Sequence, residues 1–406
     1  MAEITFKPYS AEFAANPYAV YASLRDQTPI FFDPEWNVTF VTRHGDVSKL
    51  LVDSRLGRTT DHQLSPQAVE QRLDGEIWAE LPNYRRYIAR NLLETEGPDH
   101  ARLRRLLVKA FGRAHFEQQR PRIQELTDHL LEPLLPSGKM ELLEDLVAPL
   151  TVNIIATSLG MPLQDSHYLR PWSAAIVRLY EKDINDDDLV AAEQATTEFL
   201  HYLTDLLEQR RAHPEDDLIS LLAGVEDEGL VLQNDELIST CMLLLNAGHE
   251  STVNAAGNGM LALLKHPTEL QKLRRDPTLV TSAVEEMLRY DAPLQYFHRF
   301  VLEDMSYQGV SLSKGDTVGL LYGSANRDPA AFPQPDIFDI TRAPNKHLTF
   351  GKGRHFCLGA PLARLELETV VTSLTQRIPG LKLAQACPEY HQGLVFRGLK
   401  ELQLRW

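Results

Sequence analysis

Cysteine is scarce in this 406-residue chain, with only Cys241, Cys357 and Cys387. They are too few and too scattered for a disulfide framework or a zinc site, and they fit a reducing, cytoplasmic setting. Long apolar runs are lacking as well: no stretch approaches the ~20 residues of a membrane helix. The opening MAEITFKPYS holds Glu3 and Lys7 but no apolar core, so a secretory signal is not expected. Positive charge is in deficit, with 41 Lys and Arg against 56 Asp and Glu and a formal net charge of -15. That balance argues against general nucleic-acid binding. Repeats, low-complexity tracts and linkers are missing too.

What is present is a globular composition, 43% hydrophobic and 24% charged, on a chain long enough to bury a large core. Asn16-Pro17 predicts a helix to about Gln27, with Asn as N-cap and Pro at the first helical position. PIFFD and NVTFVT, split by PEW, predict a hairpin. Residues 44–52 predict a helix. The segment from Asp53 to about Pro98 has weak periodicity and room for one short helix. A connection that long is functional or disordered as a rule. Trp78, Tyr84, Tyr87 and Ile88 favour order, so it reads as a lid or binding loop. Helical patterning then dominates to about Asp291, and residues 294–323 turn strand-like. The fold class expected is mainly α with a small β region. A single domain over 1–406 is expected, with β-rich parts at about 28–43, 294–323 and the C-terminal strands. The helical parts fall at about 44–290 and 357–377.

The stretch HLTFGKGRHFCLGAPLARLELE places Cys357 between a glycine-rich turn and a helix-like run. Gly351, Gly353 and Gly359 permit tight turns and close backbone approach. A helix N-terminus favours the thiolate of a nearby cysteine. Three readings stand: a buried structural cysteine, a nucleophile, or a metal ligand. A nucleophile needs a base, and His355 is two residues away, but nothing around it matches a cysteine-protease signature.

FGKGRHFCLG resembles the heme-binding loop of the cytochrome P-450 superfamily of heme-thiolate monooxygenases, through Phe350, Gly351, Gly353, His355, Cys357 and Gly359. Four further stretches follow that family's order. EEMLR supplies a Glu-x-x-Arg pair, Glu286 and Arg289, and FDITR supplies Arg342. NAGHEST is similar to the oxygen-activation segment, and GPDHARLRR to the heme-propionate helix. The resemblance implies a helical P-450 fold with heme b (iron protoporphyrin IX) between a long central helix and the helix after the cysteine. It implies that Cys357 is the axial ligand of the iron, where a thiolate favours O–O cleavage. It implies heme-propionate contacts from His100, Arg104, Arg299 and His355. Glu250 and Ser251 would deliver protons for oxygen reduction, with serine where threonine is commonest. Serine keeps the hydroxyl and loses the stiffening methyl. Glu286, Arg289 and Arg342 would form a buried structural network.

In HARLRRLLVKAFGR, the spacing puts His100, Leu103, Arg104, Leu107 and Phe111 on one face and Arg102, Arg105, Lys109 and Arg113 on the other. The second face reads either as a solvated basic stripe or as a docking patch for an acidic electron donor. Substrate contacts implied by resemblance are Leu244, Leu294, Phe297, Val395 and Phe396. They are all apolar and suit a hydrophobic small molecule. Arg85, Arg86 and Arg90 could meet a substrate carboxylate, though solvated surface charge is the plainer reading. The expected activity is insertion of one oxygen atom from O2 into such a molecule. Tailoring of a natural product, by hydroxylation or epoxidation, is favoured over fatty-acid or xenobiotic hydroxylation. A heme protein that binds or senses ligands without turnover is the reading from another class. The roughly 50 residues after the cysteine are not expected to hold a flavin or iron–sulfur domain. The partners expected are therefore a ferredoxin and its reductase, serving a monomer in the cytoplasm.

Overall fold

The computed structural model describes residues 6–76, 79–88, 91–110, 113–180 and 184–406. The side chains of residues 110 and 113–115 lie outside the description. Trp78, Arg90, Phe111 and the Arg113 side chain, singled out above, therefore fall beyond it. Helix starts follow their local chemistry. Asn16 accepts a hydrogen bond from the Tyr18 N–H and opens Pro17–Gln27. Asn185 and Asp188 cap each other's backbone at the start of Asp186–Ala212, a reciprocal box that satisfies two orphan donors.

Chain contacts define two compact units. The first comprises Met1–Gly57, Arg120–Leu150 and Glu250–Trp406. Its main sheet has five strands in the order Ile30–Asp33, Val38–Val41, Thr317–Leu321, Tyr296–Val301, Leu56–Gly57. The expected hairpin is there, with Ile30 opposite Val41 and Asp33 opposite Val38. Gly319 lies between two rings: a Cβ there would come within 2.6 Å of Phe40 and 2.8 Å of Tyr296. Val41, Val47, Leu50, Leu56, Val301, Val318 and Leu320 form one core cluster of this unit. The helices Arg120–Leu131, Pro267–Arg275 and Val280–Tyr290 each pack on Ala360–Arg377.

The buried network is present in this unit. Glu286 and Arg289 are both fully buried, and Arg289 Nε and Nη2 each donate to the Glu286 carboxylate at 2.8 Å. Arg342 Nε reaches both oxygens at 3.2 Å. The Asp339 N–H and Asn345 Nδ2 complete the carboxylate's bonds. The two arginines turn their remaining donors onto the carbonyls of Asn326, Pro333, Gln334, Pro335 and Ile337. An irregular stretch with no ladder of its own is held by these side chains instead.

The second unit comprises Arg58–Gln119 and Thr151–His249. Leu169–Arg178 packs on Asp186–Ala212, where Trp172 stacks on Phe199 with centroids 5.0 Å apart. Among its described residues, the long segment before Pro98 holds one short α-helix, Pro66–Leu73, two 3-10 turns at Asp61–Gln63 and Leu92–Glu94, and a wide turn at Tyr84–Ile88. Glu193 accepts the N–H groups of Asn83 and Tyr84, both at 3.0 Å, and Asn83 Nδ2 donates to Thr197 Oγ1. Arg85 pairs with Glu70 and Asp74, and Arg86 with Asp235. These two arginines are spent on the protein's own carboxylates, which corrects the idea that they await a substrate acid.

The span 44–290 is not wholly helical. Leu56–Gly57 joins the main sheet, Lys139–Glu141 pairs with Gln403–Arg405, and Glu226–Asp227 forms a hairpin with Leu230–Val231. Strands of two or three residues are too short to register a period of two.

Candidate heme site and its family

The cysteine loop is shaped by glycine where glycine is needed. Gly351 and Gly353 have φ of 67° and 76°, the left-handed region. A Cβ on Gly353 would also come 3.0 Å from the Leu51 carbonyl oxygen. The Gly351 N–H donates to Leu348 O at 2.8 Å, and the Cys357 N–H returns to Phe350 O at 2.9 Å. The loop's entry is pinned by Asn326, which accepts from the Leu348 N–H and donates to Thr349 Oγ1. Its exit is the helix Ala360–Arg377, capped by Gly359 and with Pro361 in the first turn. Cys357 is exposed, three residues ahead of that helix. Cys241 offers a contrast: it is buried, and desolvation pushes its thiol up to about 12. Beside the loop, Arg364 donates to Glu285 and lies 4.4 Å from the Phe350 ring centroid. Burial alone would push the Glu285 carboxyl up; the bonds from His347 and Arg364 outweigh it and bring it down to about 2.

The central helix Asn234–Lys265 carries the acid and the hydroxyl. Its residues alternate between two faces around this point. Met242, Leu245, Asn246, His249 and Thr252 are buried, whereas Leu243, Leu244, Ala247, Gly248, Glu250 and Ser251 keep some exposure. Leu244, Ala247 and Ser251 thus share a partly exposed stripe at helical spacing, while Ile155 Cδ1 lies 3.5 Å from where a Cβ on Gly248 would stand. Ser251 lies on that stripe and Thr252 does not.

His100 and Arg104 stand one turn apart on Gly97–Ala110, His100 4% exposed and Arg104 half-buried. Arg299 is buried in the strand Tyr296–Val301, its guanidinium 5.3 Å from the Phe297 ring centroid, and His355 is half-buried in the cysteine loop. The opposite face of Gly97–Ala110 is not a free basic stripe. Arg102 pairs with Glu236, Arg105 with Asp227 and Glu228, and Lys109 with Asp227. Among the described residues its charge is largely cancelled, so nothing in them distinguishes that face as a dock for an acidic partner.

Four of the five substrate candidates belong to the first unit. Leu294 and Phe396 form an antiparallel bridge, the Gln295 N–H donates to Val395 O at 2.9 Å, and the Arg397 N–H to Pro293 O at 2.8 Å. Phe297 follows on the same strand, while Leu244 belongs to the second unit. What holds that pairing escaped sequence reasoning. Asp291 accepts from Tyr18 Oη, Tyr390 Oη and Arg397 Nε at 2.6–2.8 Å; Asp291 and Arg397 are buried and the two tyrosines half-buried. Tyr18 and Asp291 are 273 residues apart, so no local pattern could announce them.

The donor set fits heme. Among the described residues, no group of three His, Cys, Asp or Glu could hold a bare metal ion. An exposed thiol in a glycine loop would suit an iron already held by a macrocycle, with Cys357 as the residue that would hold it.

The comparisons agree. A model of the Cytochrome P450 family matches residues 78–379. The biotin biosynthesis cytochrome P450 of Bacillus subtilis is 38% identical over 97% of both chains. The cytochrome P450 monooxygenase PikC of Streptomyces venezuelae is 38% identical over 97% of this chain and 92% of its own. P450BioI, solved in complex with an acyl carrier protein ligated to hexadec-9Z-enoic acid, superposes with a TM-score of 0.89 at 36% identity, covering 98% of this chain and 99% of its own. The chain is a heme-dependent monooxygenase. It belongs to the cytochrome P450 family, whose cofactor is heme b. No helix among the described residues is long and apolar enough to cross a membrane.

Proposed function

We propose that this P450 oxidises a hydrophobic small molecule in natural-product tailoring, and that Cys357 would hold the heme iron through its thiolate. The observation that carries the ligand assignment is the exposed Cys357 thiol, set by its backbone bond to Phe350 ahead of a helix N-terminus. Bound heme supplies the activation of O2. Around it, this chain's residues hold and deliver. His100, Arg104, Arg299 and His355 bind the propionates, where guanidinium donors suit carboxylates. Glu250 supplies protons and Ser251 passes them on, its hydroxyl able to accept one bond while donating another. Leu244, Leu294, Phe297, Val395 and Phe396 contact the substrate and exclude water. Electrons come from a separate ferredoxin and its reductase, and the enzyme works as a cytoplasmic monomer.

The relatives favour one refinement. P450BioI was solved with an acyl carrier protein, which supports an acyl chain presented on a carrier over a free fatty acid. The test is a spectral titration of the ferric protein. Fatty acids, macrolactones, terpenes and one carrier-bound acyl chain are added in turn, and the Soret shift reports displacement of water from iron. A shift with the carrier-bound chain alone supports that refinement. A shift with a terpene or macrolactone alone replaces it. Failure of Cys357→Ser to abolish the 450 nm band of the reduced carbonyl form would overturn the ligand assignment.

A further inference from the structure

His249 is one of the buried polar residues of the central helix that have no part in the proposed proton delivery. It stands between Gly248 and the proposed acid Glu250, and it is 8% exposed. Its Nδ1 and Thr151 Oγ1 form a hydrogen bond of 2.7 Å. One turn along from Thr151, Ile155 Cδ1 lies 3.5 Å from where a Cβ on Gly248 would stand. Thr151 and Ile155 share one face of the helix Ala148–Leu159. That face therefore meets two consecutive residues of the central helix, one through an apolar contact and one through a directional bond.

The difference between those contacts matters. Apolar packing tolerates a small roll of a helix about its axis, whereas a short hydrogen bond weakens steeply when its angle opens. At about 100° per residue, Ser251 lies about 200° around the axis from His249. The two are nearly opposite, in agreement with the burial of one and the partial exposure of the other. A roll that moved His249 would carry Ser251 through the same angle. If only filling were required at 249, leucine would suffice without the cost of burying an imidazole.

We propose that His249 is a positioning residue for oxygen activation. Its bond to Thr151 sets the roll of the central helix, and so the direction in which Glu250 and Ser251 present their polar atoms. His249 itself touches neither substrate nor heme. The inference rests on the reading of Glu250 and Ser251 as the proton-delivery pair.

The test uses the holoenzyme, reduced through a ferredoxin and its reductase with hexadec-9-enoic acid as the probe. The readout is peroxide formed per NADPH consumed, which is measurable whether or not a hydroxylated product forms. Thr151→Val keeps the shape and removes the hydroxyl. A buried hydrogen bond lost in this way predicts a rise in peroxide yield of about 2- to 10-fold. Thr151→Ser should return to within about twofold of the parent. His249→Leu should match Thr151→Val, and His249→Asn, whose amide reaches toward the hydroxyl, should recover part of the loss. If Thr151→Val gives no 450 nm carbonyl band, the His249→Leu and His249→Asn pair decides alone. A second readout is hydrogen exchange on peptides spanning 245–253, which should quicken in Thr151→Val and not in the helix Val280–Tyr290.

A lowered melting midpoint with unchanged peroxide yield would make the bond merely structural and overturn the inference. The same holds if Ser251→Ala raises the yield and Thr151→Val does not. If Ser251→Ala leaves the yield unchanged, the proton-delivery reading has failed instead. Exchange at 245–253 then decides the roll, and unchanged exchange overturns it.

Discussion

Replacing Glu286 by glutamine should unsettle the protein far more than its single lost charge suggests. The carboxylate is fully buried and accepts from Arg289 twice at 2.8 Å, from Arg342, from the Asp339 N–H and from Asn345. Glutamine has nearly the same volume, so the variant opens no cavity. What it leaves is two guanidinium groups facing each other, Arg289 with its side chain fully buried and Arg342 at 11% exposure. Removing one partner of a buried pair costs about 3–5 kcal/mol, because the remaining charge has no water to return to. At an unfolding entropy of about 2.1 cal/mol/K per residue, a chain of this length would lose roughly 4–6 °C of melting midpoint. Scanning calorimetry of the heme-loaded protein gives the number. Glu389→Gln serves as the control, because its partner Lys400 and Glu389 itself are 51% and 76% exposed. An exposed pair is worth at most about 1 kcal/mol, or about 1 °C here. Should Glu286→Gln melt within a degree of the parent, or Glu389→Gln fall as far, the argument from burial is wrong.

Three further outcomes can be checked. Glu366 is buried and desolvation pushes its carboxyl up to about 8, so the folded protein holds a proton that the unfolded chain gives up near 4.5. The stability tied to that proton is present below 4.5 and lost as pH rises through 8. Denaturant curves at pH 5, 7 and 9 should therefore be flatter for Glu366→Gln than for the parent, and parallel curves would count against it. Glu285 has the opposite sign: its carboxyl is held down at about 2, so its contribution is present above about 4.5 and lost as pH falls toward 2. Glu285→Gln should remove that part of the acid slope. Gly319→Ala should cost about 1–3 kcal/mol because its methyl meets the Phe40 and Tyr296 rings. Gly45→Ala, where nothing lies within 4 Å and the residue is helical, should be neutral or slightly stabilising in the same melt.

The parts of this molecule that a linear reading reaches are those set by near neighbours. Asn16 and Pro17 announce a helix start because cap and first turn lie within three residues of each other. The cysteine loop is legible because its glycines answer a local backbone demand. The charge stripe on Gly97–Ala110 was legible as a stripe, yet its meaning lay elsewhere. The acids that neutralise Arg105 and Lys109 sit more than a hundred residues downstream, on a hairpin of two-residue strands. The Asp291 cluster was hidden for the same reason, since each of its donors is ordinary where it stands. His249 was visible as a polar residue in an apolar helix, and only the position of Thr151 turns it into a candidate for orientation.

The first unit is sewn from three separate stretches of chain, with the two ends meeting at one stitch: Arg397 donates to the carbonyl of Ala14 and to Asp291, and Tyr18 shares that same Asp291. On the ribosome this imposes a wait. Translation at about 5–20 residues per second puts roughly 20–80 seconds between the emergence of Tyr18 and of Arg397. During most of that time Val38–Val41 is an open edge, because its parallel neighbour Thr317–Leu321 has not been made. All of Thr151–His249, by contrast, is available well before synthesis ends. Slowing aggregation during that interval, by cooler expression or added chaperones, should raise the yield of folded enzyme.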